Sequence, residues 1–193
     1  KIVTGEIQTS GDKVQVNIRV IDANTEALGW GGTFMKSKDE FLDLQNEIAT
    51  SLASEIKGGL KSEETKQLAR KATQNPEAQA AYQSGRREWN KRSKEGFENA
   101  IEHFKDAINL DQNYADPYAG LADTYLLMVN YNHAAREDCI PLAKKYSQTA
   151  LEKNPNLAAA YVSIAWLQHM FEYNWTAAEE NYKKALKLNP NYA

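Results

Sequence analysis

The pattern of apolar and polar positions changes period along the chain. Val14, Val16, Ile18 and Val20 alternate with Gln15, Asn17 and Arg19, the period of two expected of a strand with one buried face. Ile2, Val3, Gly5 and Ile7 precede this run across Ser10-Gly11-Asp12-Lys13, whose composition suits a hairpin turn. Asp22-Ala23-Asn24-Thr25 predicts a second turn and Leu28 to Met35 a third strand, weakened or bulged by Gly29, Gly31 and Gly32. From Ser37 the period lengthens. Phe41, Leu44, Ile48, Leu52 and Ile56 recur at spacings of three and four, one apolar stripe of a helix. Ser37 and Glu40 form an S-x-x-E capping box at its start, and Gly58-Gly59 stop it. Ser62 is placed to cap a further helix through about Gln74, ended by Asn75-Pro76.

Beyond Pro76 the helical period is organised into a repeat. Residues 106–115 read Asp-Ala-Ile-Asn-Leu-Asp-Gln-Asn-Tyr-Ala, residues 149–158 Thr-Ala-Leu-Glu-Lys-Asn-Pro-Asn-Leu-Ala, and residues 184–193 Lys-Ala-Leu-Lys-Leu-Asn-Pro-Asn-Tyr-Ala. A helix end that recurs every 35 to 43 residues marks an α-α solenoid. The fold class expected is mostly α, with a small α/β piece of three strands and one helix in front. The domain reading is 1–60 for the α/β piece, 61–77 for a linker helix and 78–193 for three repeats at 78–114, 115–157 and 158–192.

The repeats resemble tetratricopeptide repeats. Gly85, Ala100, Phe104 and Ala107 match the packing positions of the first. Leu121, Ala122, Tyr125, Ala143 and Ala150 match those of the second, closed by Pro155. Ile164, Ala165, Ala178, Tyr182 and Ala185 match those of the third, closed by Pro190. Small residues let the paired helices approach, large ones fill the seam, and proline ends the second helix. Inserts of about three, nine and one residues are expected between the paired helices, the largest near Asn130–Asp138, as loops on one side of the array.

Thr4-Gly5-Glu6-Ile7, Gly11-Asp12-Lys13-Val14, Ile21-Asp22-Ala23-Asn24-Thr25, Leu28-x-Trp30 and Phe41-x-x-x-Gln45-x-x-Ile48-Ala49 resemble the back half of the TolB amino-terminal-like domain over roughly residues 2–57. That family's front half, a strand–helix–strand unit, is not in this sequence, and Gly31-Gly32 depart from its usual small and acidic residues. Three strands and one helix are near the lower limit of independent stability. A sheet left uncovered in this way implies pairing with another copy, or a disordered or rearranged start.

Tyr82-x-x-Gly85-Arg86-x-x-Trp89-Asn90, together with Tyr161-Val162-Ser163-Ile164-Ala165-Trp166 and Trp175-Thr176-Ala177-Ala178-Glu179, resembles the tetratricopeptide segment that follows the TolB-like domain in bacterial signalling proteins. There the upstream part is an adenylate cyclase, a serine/threonine kinase or a winged helix. The resemblance implies a regulatory context and no activity in this chain.

In this family partners bind the concave face, lined by the first helix of each repeat. The positions implied here are Tyr82, Arg86, Trp89, Asn90, Asp123, Leu127, Val162, Trp166, His169 and Met170. They suggest a groove for an extended peptide or a helix, with aromatic anchors. Aromatic residues at helical spacing are more often core, so packing against a neighbouring helix is the competing reading for Trp89, Trp166 and Met170. The lysine–asparagine clamp of chaperone-tail binders is not matched: its positions hold Tyr82/Arg86, Ala119/Asp123 and Val162/Trp166.

Composition narrows the chemistry. The net charge is −3, all of it from nine acids and six bases in residues 1–60, so no basic footprint for nucleic acid is present. No apolar run approaches the length of a membrane span and no signal peptide opens the chain. The single cysteine, Cys139, excludes an internal disulfide. Gly59-Leu60-Lys61-Ser62 lacks the upstream glycine of a phosphate loop and reads as a helix end. His133 and Cys139 lack further metal ligands. Asp111 and Asn113 lack the rest of a calcium loop. Glu179 and Glu180 are adjacent on a helix and point apart. Arg86-Arg87 and Lys91-Arg92 make a small basic cluster beside Trp89 that could hold an anionic partner. No cofactor is expected. The expectation is a non-catalytic interaction module of a larger bacterial signalling protein, cytoplasmic rather than periplasmic, with an envelope-associated assembly scaffold as the alternative. Lys1 in place of methionine, and an end at the first residue of a further repeat, suggest a piece of a longer protein.

Overall fold

The computed structural model describes residues 1–59 and 72–190. The chain divides into two compact units, Lys1–Pro76 and Glu77–Ala193. The helix expected from Ser62 to about Gln74 lies almost wholly outside the described residues, as does most of Gly59-Leu60-Lys61-Ser62.

In the first unit β1 (Ile2–Ser10), β2 (Lys13–Ile21) and β3 (Leu28–Ser37) form an antiparallel sheet in the order β1-β2-β3. Gly11, at φ 59, supplies the left-handed residue of the hairpin that pairs Ser10 with Lys13. Between β2 and β3 the register shifts at Val20/Ile21: Val20 pairs with Trp30 and Ile21 with Leu28, so Gly29 is the extra residue of a bulge. Val14, Val16, Ile18 and Val20 are buried with Phe34 and with Leu44 of α1 (Phe41–Lys57). The Ser37 and Glu40 side chains do meet, but the hydroxyl donates to the carboxylate at 2.8 Å and caps no backbone N–H. A 3₁₀ turn, Lys38–Glu40, precedes the helix. Gly58, at φ 75, ends α1 in the left-handed conformation.

Among the described residues the second unit has six helices in three antiparallel pairs: α2 (Pro76–Trp89) with α3 (Lys94–Leu110), α4 (Ala115–Asn130) with α5 (Arg136–Lys153), and α6 (Ala158–Met170) with α7 (Trp175–Leu188). Ala100, Ala107, Ala143, Ala150, Ala178 and Ala185 are all buried, as close helix approach requires. The repeated phrase has a repeated geometry. Asp111, Asn154 and Asn189 end α3, α5 and α7 with φ/ψ of −148/98, −142/95 and −142/94, each N–H bonded to Ala107, Ala150 or Ala185 O. Tyr118 Oη donates to Gln112 O at 3.2 Å and Tyr161 Oη to Pro155 O at 2.9 Å, the same joint one repeat apart.

The long loop expected near Asn130–Asp138 is not there. Residues 131–135 connect α4 to α5, hardly more than the residues 90–93 and 171–174 that join the other pairs. The extra sequence is helical: α5 runs 18 residues against 14 for α7. Pro141, the sixth residue of α5, is accommodated within the helix, where it forgoes the bond its N–H would make to Glu137 O. Cys139 is therefore a buried helix residue, while the His133 ring lies 6.0 Å from both Tyr131 and Phe97.

Candidate functional site: the exposed face of the helical repeat

The candidate residues lie on α2, α4 and α6, or on the residue after α2 in the case of Asn90. The structure sorts them into core, rim and surface. Trp89 and Leu127 are buried in one cluster with Phe97, Ile101, Phe104, Leu121 and Met128. Tyr82 is half-buried at its edge, 5.7 Å from the Phe104 ring and 5.3 Å from Tyr114. Trp166, half-buried, packs against that cluster and also against Leu126 and Leu167, so it links the second and third pairs. Val162 belongs elsewhere, in the small cluster of Ala158, Tyr161 and Ala185. Asn90, His169 and Met170 are exposed.

Around Trp89 the charges are arranged unequally. The Arg86 guanidinium lies 4.1 Å from the indole centroid and that of Arg92 3.6 Å. Arg92 holds this position from a left-handed backbone, φ 52, in the turn after α2. That conformation costs a non-glycine residue of the order of 1 kcal/mol. Among the described residues neither guanidinium has a hydrogen bond or an ion pair. Their neighbours are spoken for: Arg87 Nη2 donates to Ser84 Oγ at 2.8 Å and Lys91 pairs with Glu88 at 2.7 Å. Asp123, on α4, is partly buried. Loss of hydration pushes its carboxyl up to about 6, against the opposing pull of Arg86 and Arg92. The Trp89 Nε1 is buried and, among the described residues, has no hydrogen-bond partner.

Arg92 is missing from the set placed by helix register, because it sits in a turn where periodicity gives no position. The signal that reaches it is the pairing of the basic residues 86–87 and 91–92 with Trp89. The carboxylates considered for calcium are used locally: Asp111 Oδ1 accepts from Asn113 N at 2.9 Å. Glu179 pairs with Lys183 on the same helix. No described helix is long and apolar enough to cross a membrane.

Residues 91–129 match the family model of the TPR repeat, which spans α3, the joint and α4. A solved structure, the first TPR of Spaghetti (RPAP3) bound to the HSP90 peptide SRMEEVD, is similar at 16% identity and a TM-score of 0.48, over 61% of this chain and 82% of that one. The comparison with curated proteins gave no match. The fold is a mostly helical, TPR-type repeat preceded by a small antiparallel three-stranded sheet.

Proposed function

We propose that the chain is a non-catalytic protein–protein interaction module whose helical unit binds an extended peptide across α2, α4 and α6. The repeats are 78–114, 115–157 and 158–192. The observation that carries the reading is the residue set on that face. It holds partly buried aromatic rings (Tyr82, Trp166), an exposed Met170 and two guanidiniums that, among the described residues, have no polar partner, the mixture of anchors and adaptable polar groups that peptide grooves use. The parent is proposed to be a bacterial signalling protein in which residues 1–60 are the back half of a TolB-like domain and partner binding acts on an upstream effector. Selection of displayed random peptides on the chain tests the groove. Enriched peptides should lose binding on Trp166→Ala and Met170→Ala; enrichment that survives both changes removes the groove from this face. The native coding sequence upstream of Lys1 tests the parent: a cyclase, kinase or winged-helix domain is expected, and a signal peptide would favour the envelope scaffold.

A second reading, pairing of two copies through the sheet, is favoured by β1. It is an edge strand of the described sheet, and Val3 and Ile7, opposite the buried Val20 and Val16, are 45% and 70% exposed. Such an edge invites strand addition. Sedimentation that stays monomeric at high concentration removes this reading.

A further inference from the structure

Two cations over one ring repel each other, so their co-location needs compensation. Arg86 and Arg92 both rest over Trp89, at 4.1 and 3.6 Å, and the charge of Asp123 on α4 interacts with both. The indole attracts each cation by its quadrupole. Two positive charges against one ionised carboxylate leave the cluster at +1, in a unit whose other charges sum to −3. A guanidinium engaged through its face keeps its N–H donors in the plane of the group, at the rim. Here those donors have no protein acceptor among the described residues. The left-handed backbone at Arg92 keeps one of the two cations in place.

We propose that Arg86 and Arg92, presented on Trp89, form the seat for an acidic side chain of an extended partner peptide. The proposal rests on the groove reading above and names the chemistry of its ligand. The net charge of the cluster selects a monoanion: one carboxylate neutralises it, whereas a phosphate dianion overshoots. Trp166, half-buried against the same cluster as Trp89, suits an aliphatic residue beside the acid. The occupant is therefore an acidic–aliphatic segment.

The test is calorimetric titration of the whole chain with a capped peptide alternating Glu and Leu, its twin with Gln for Glu, and a twin with phosphoserine. The Glu peptide should bind about tenfold or more tightly than the Gln twin, the scale of a charge-assisted hydrogen bond. The double variant Arg86→Gln/Arg92→Gln should bind the two twins alike, and Arg86→Lys/Arg92→Lys should keep part of the difference. The lysine pair also serves as the folded control should the glutamine pair lose its melting transition. Equal affinity of wild type for the Glu and Gln twins overturns the seat while leaving the groove. Preference for the phosphoserine twin overturns the choice of carboxylate. If none of the three peptides binds, the seat falls, and the groove stands or falls by the display experiment.

Discussion

A Cβ placed on Gly85 would lie 2.6 Å from Cδ1 and Cε1 of Phe104, and one on Gly120 would lie 2.8 Å from Cζ of the same ring. The fully buried ring of α3 is therefore seated against bare backbone of both α2 and α4. Replacing a helical glycine by alanine ordinarily stabilises by roughly 0.5–1 kcal/mol. Here Gly85→Ala should instead destabilise by about 1–3 kcal/mol, the usual penalty for overpacking. Urea denaturation measures it. Phe104→Leu in the Gly85→Ala background should recover part of the loss, a coupling that double-mutant analysis detects.

Asp123 should make the helical unit less stable at neutral pH than at mildly acidic pH. Its folded value, about 6, lies above the ordinary 3.8. Between the two the folded chain holds a proton that the unfolded chain has lost, so this group's contribution to stability rises as pH falls from about 6 towards 4. The groups acting on it from neighbouring segments, Arg86 on α2 and Arg92 in the following turn, favour the charged form and reduce the effect. At pH 7 the ionised group costs about 2–3 kcal/mol. Asp123→Asn should be more stable than wild type at pH 7.5, and the difference should close only below about pH 4. A variant that is weaker at pH 7.5 would mean that the arginines hold the charge more firmly than burial opposes it.

Trp89→Phe should cost little. The indole is 8% exposed and carries a buried N–H with no partner among the described residues, a penalty of about 1–3 kcal/mol. Phenylalanine removes that donor and keeps a ring beneath Arg86 and Arg92, so the net change should stay within about 1 kcal/mol, against about 3–5 kcal/mol for Trp89→Ala. If Phe proves as damaging as Ala, the N–H is hydrogen-bonded in solution.

Ser93 caps α3, its Oγ accepting from Gly96 N at 3.1 Å. Ser93→Ala should lower stability by about 1 kcal/mol and Ser93→Asp should retain it. Thermal melts followed by circular dichroism distinguish the two.

Periodicity revealed the fold because it is the physical cause of the fold. The alternation of Val14, Val16, Ile18 and Val20 is what buries one face of β2, and the alanines at 100, 107, 143, 150, 178 and 185 are what let helices pair. The loop at 130–138 failed to appear because counting from a consensus measures length, and length alone does not distinguish a loop from a longer helix. The candidate face was legible as a set of positions but not as a set of roles. Trp89 and Leu127 turn inward, Val162 joins a different cluster, and Arg92 enters from a turn. Those outcomes depend on which neighbour each side chain meets, which one chain's spacing does not contain.

The three joints at Asp111, Asn154 and Asn189 follow nearly the same backbone path. A chain that leaves each helix pair by the same bend hands the next pair the same starting direction, as a spiral staircase sets each tread. The array is therefore modular at these points. Duplicating one whole step, cut at Asp111 and rejoined at Asn154, should lengthen it without disturbing its neighbours, whereas the same length inserted within a helix pair would not be absorbed.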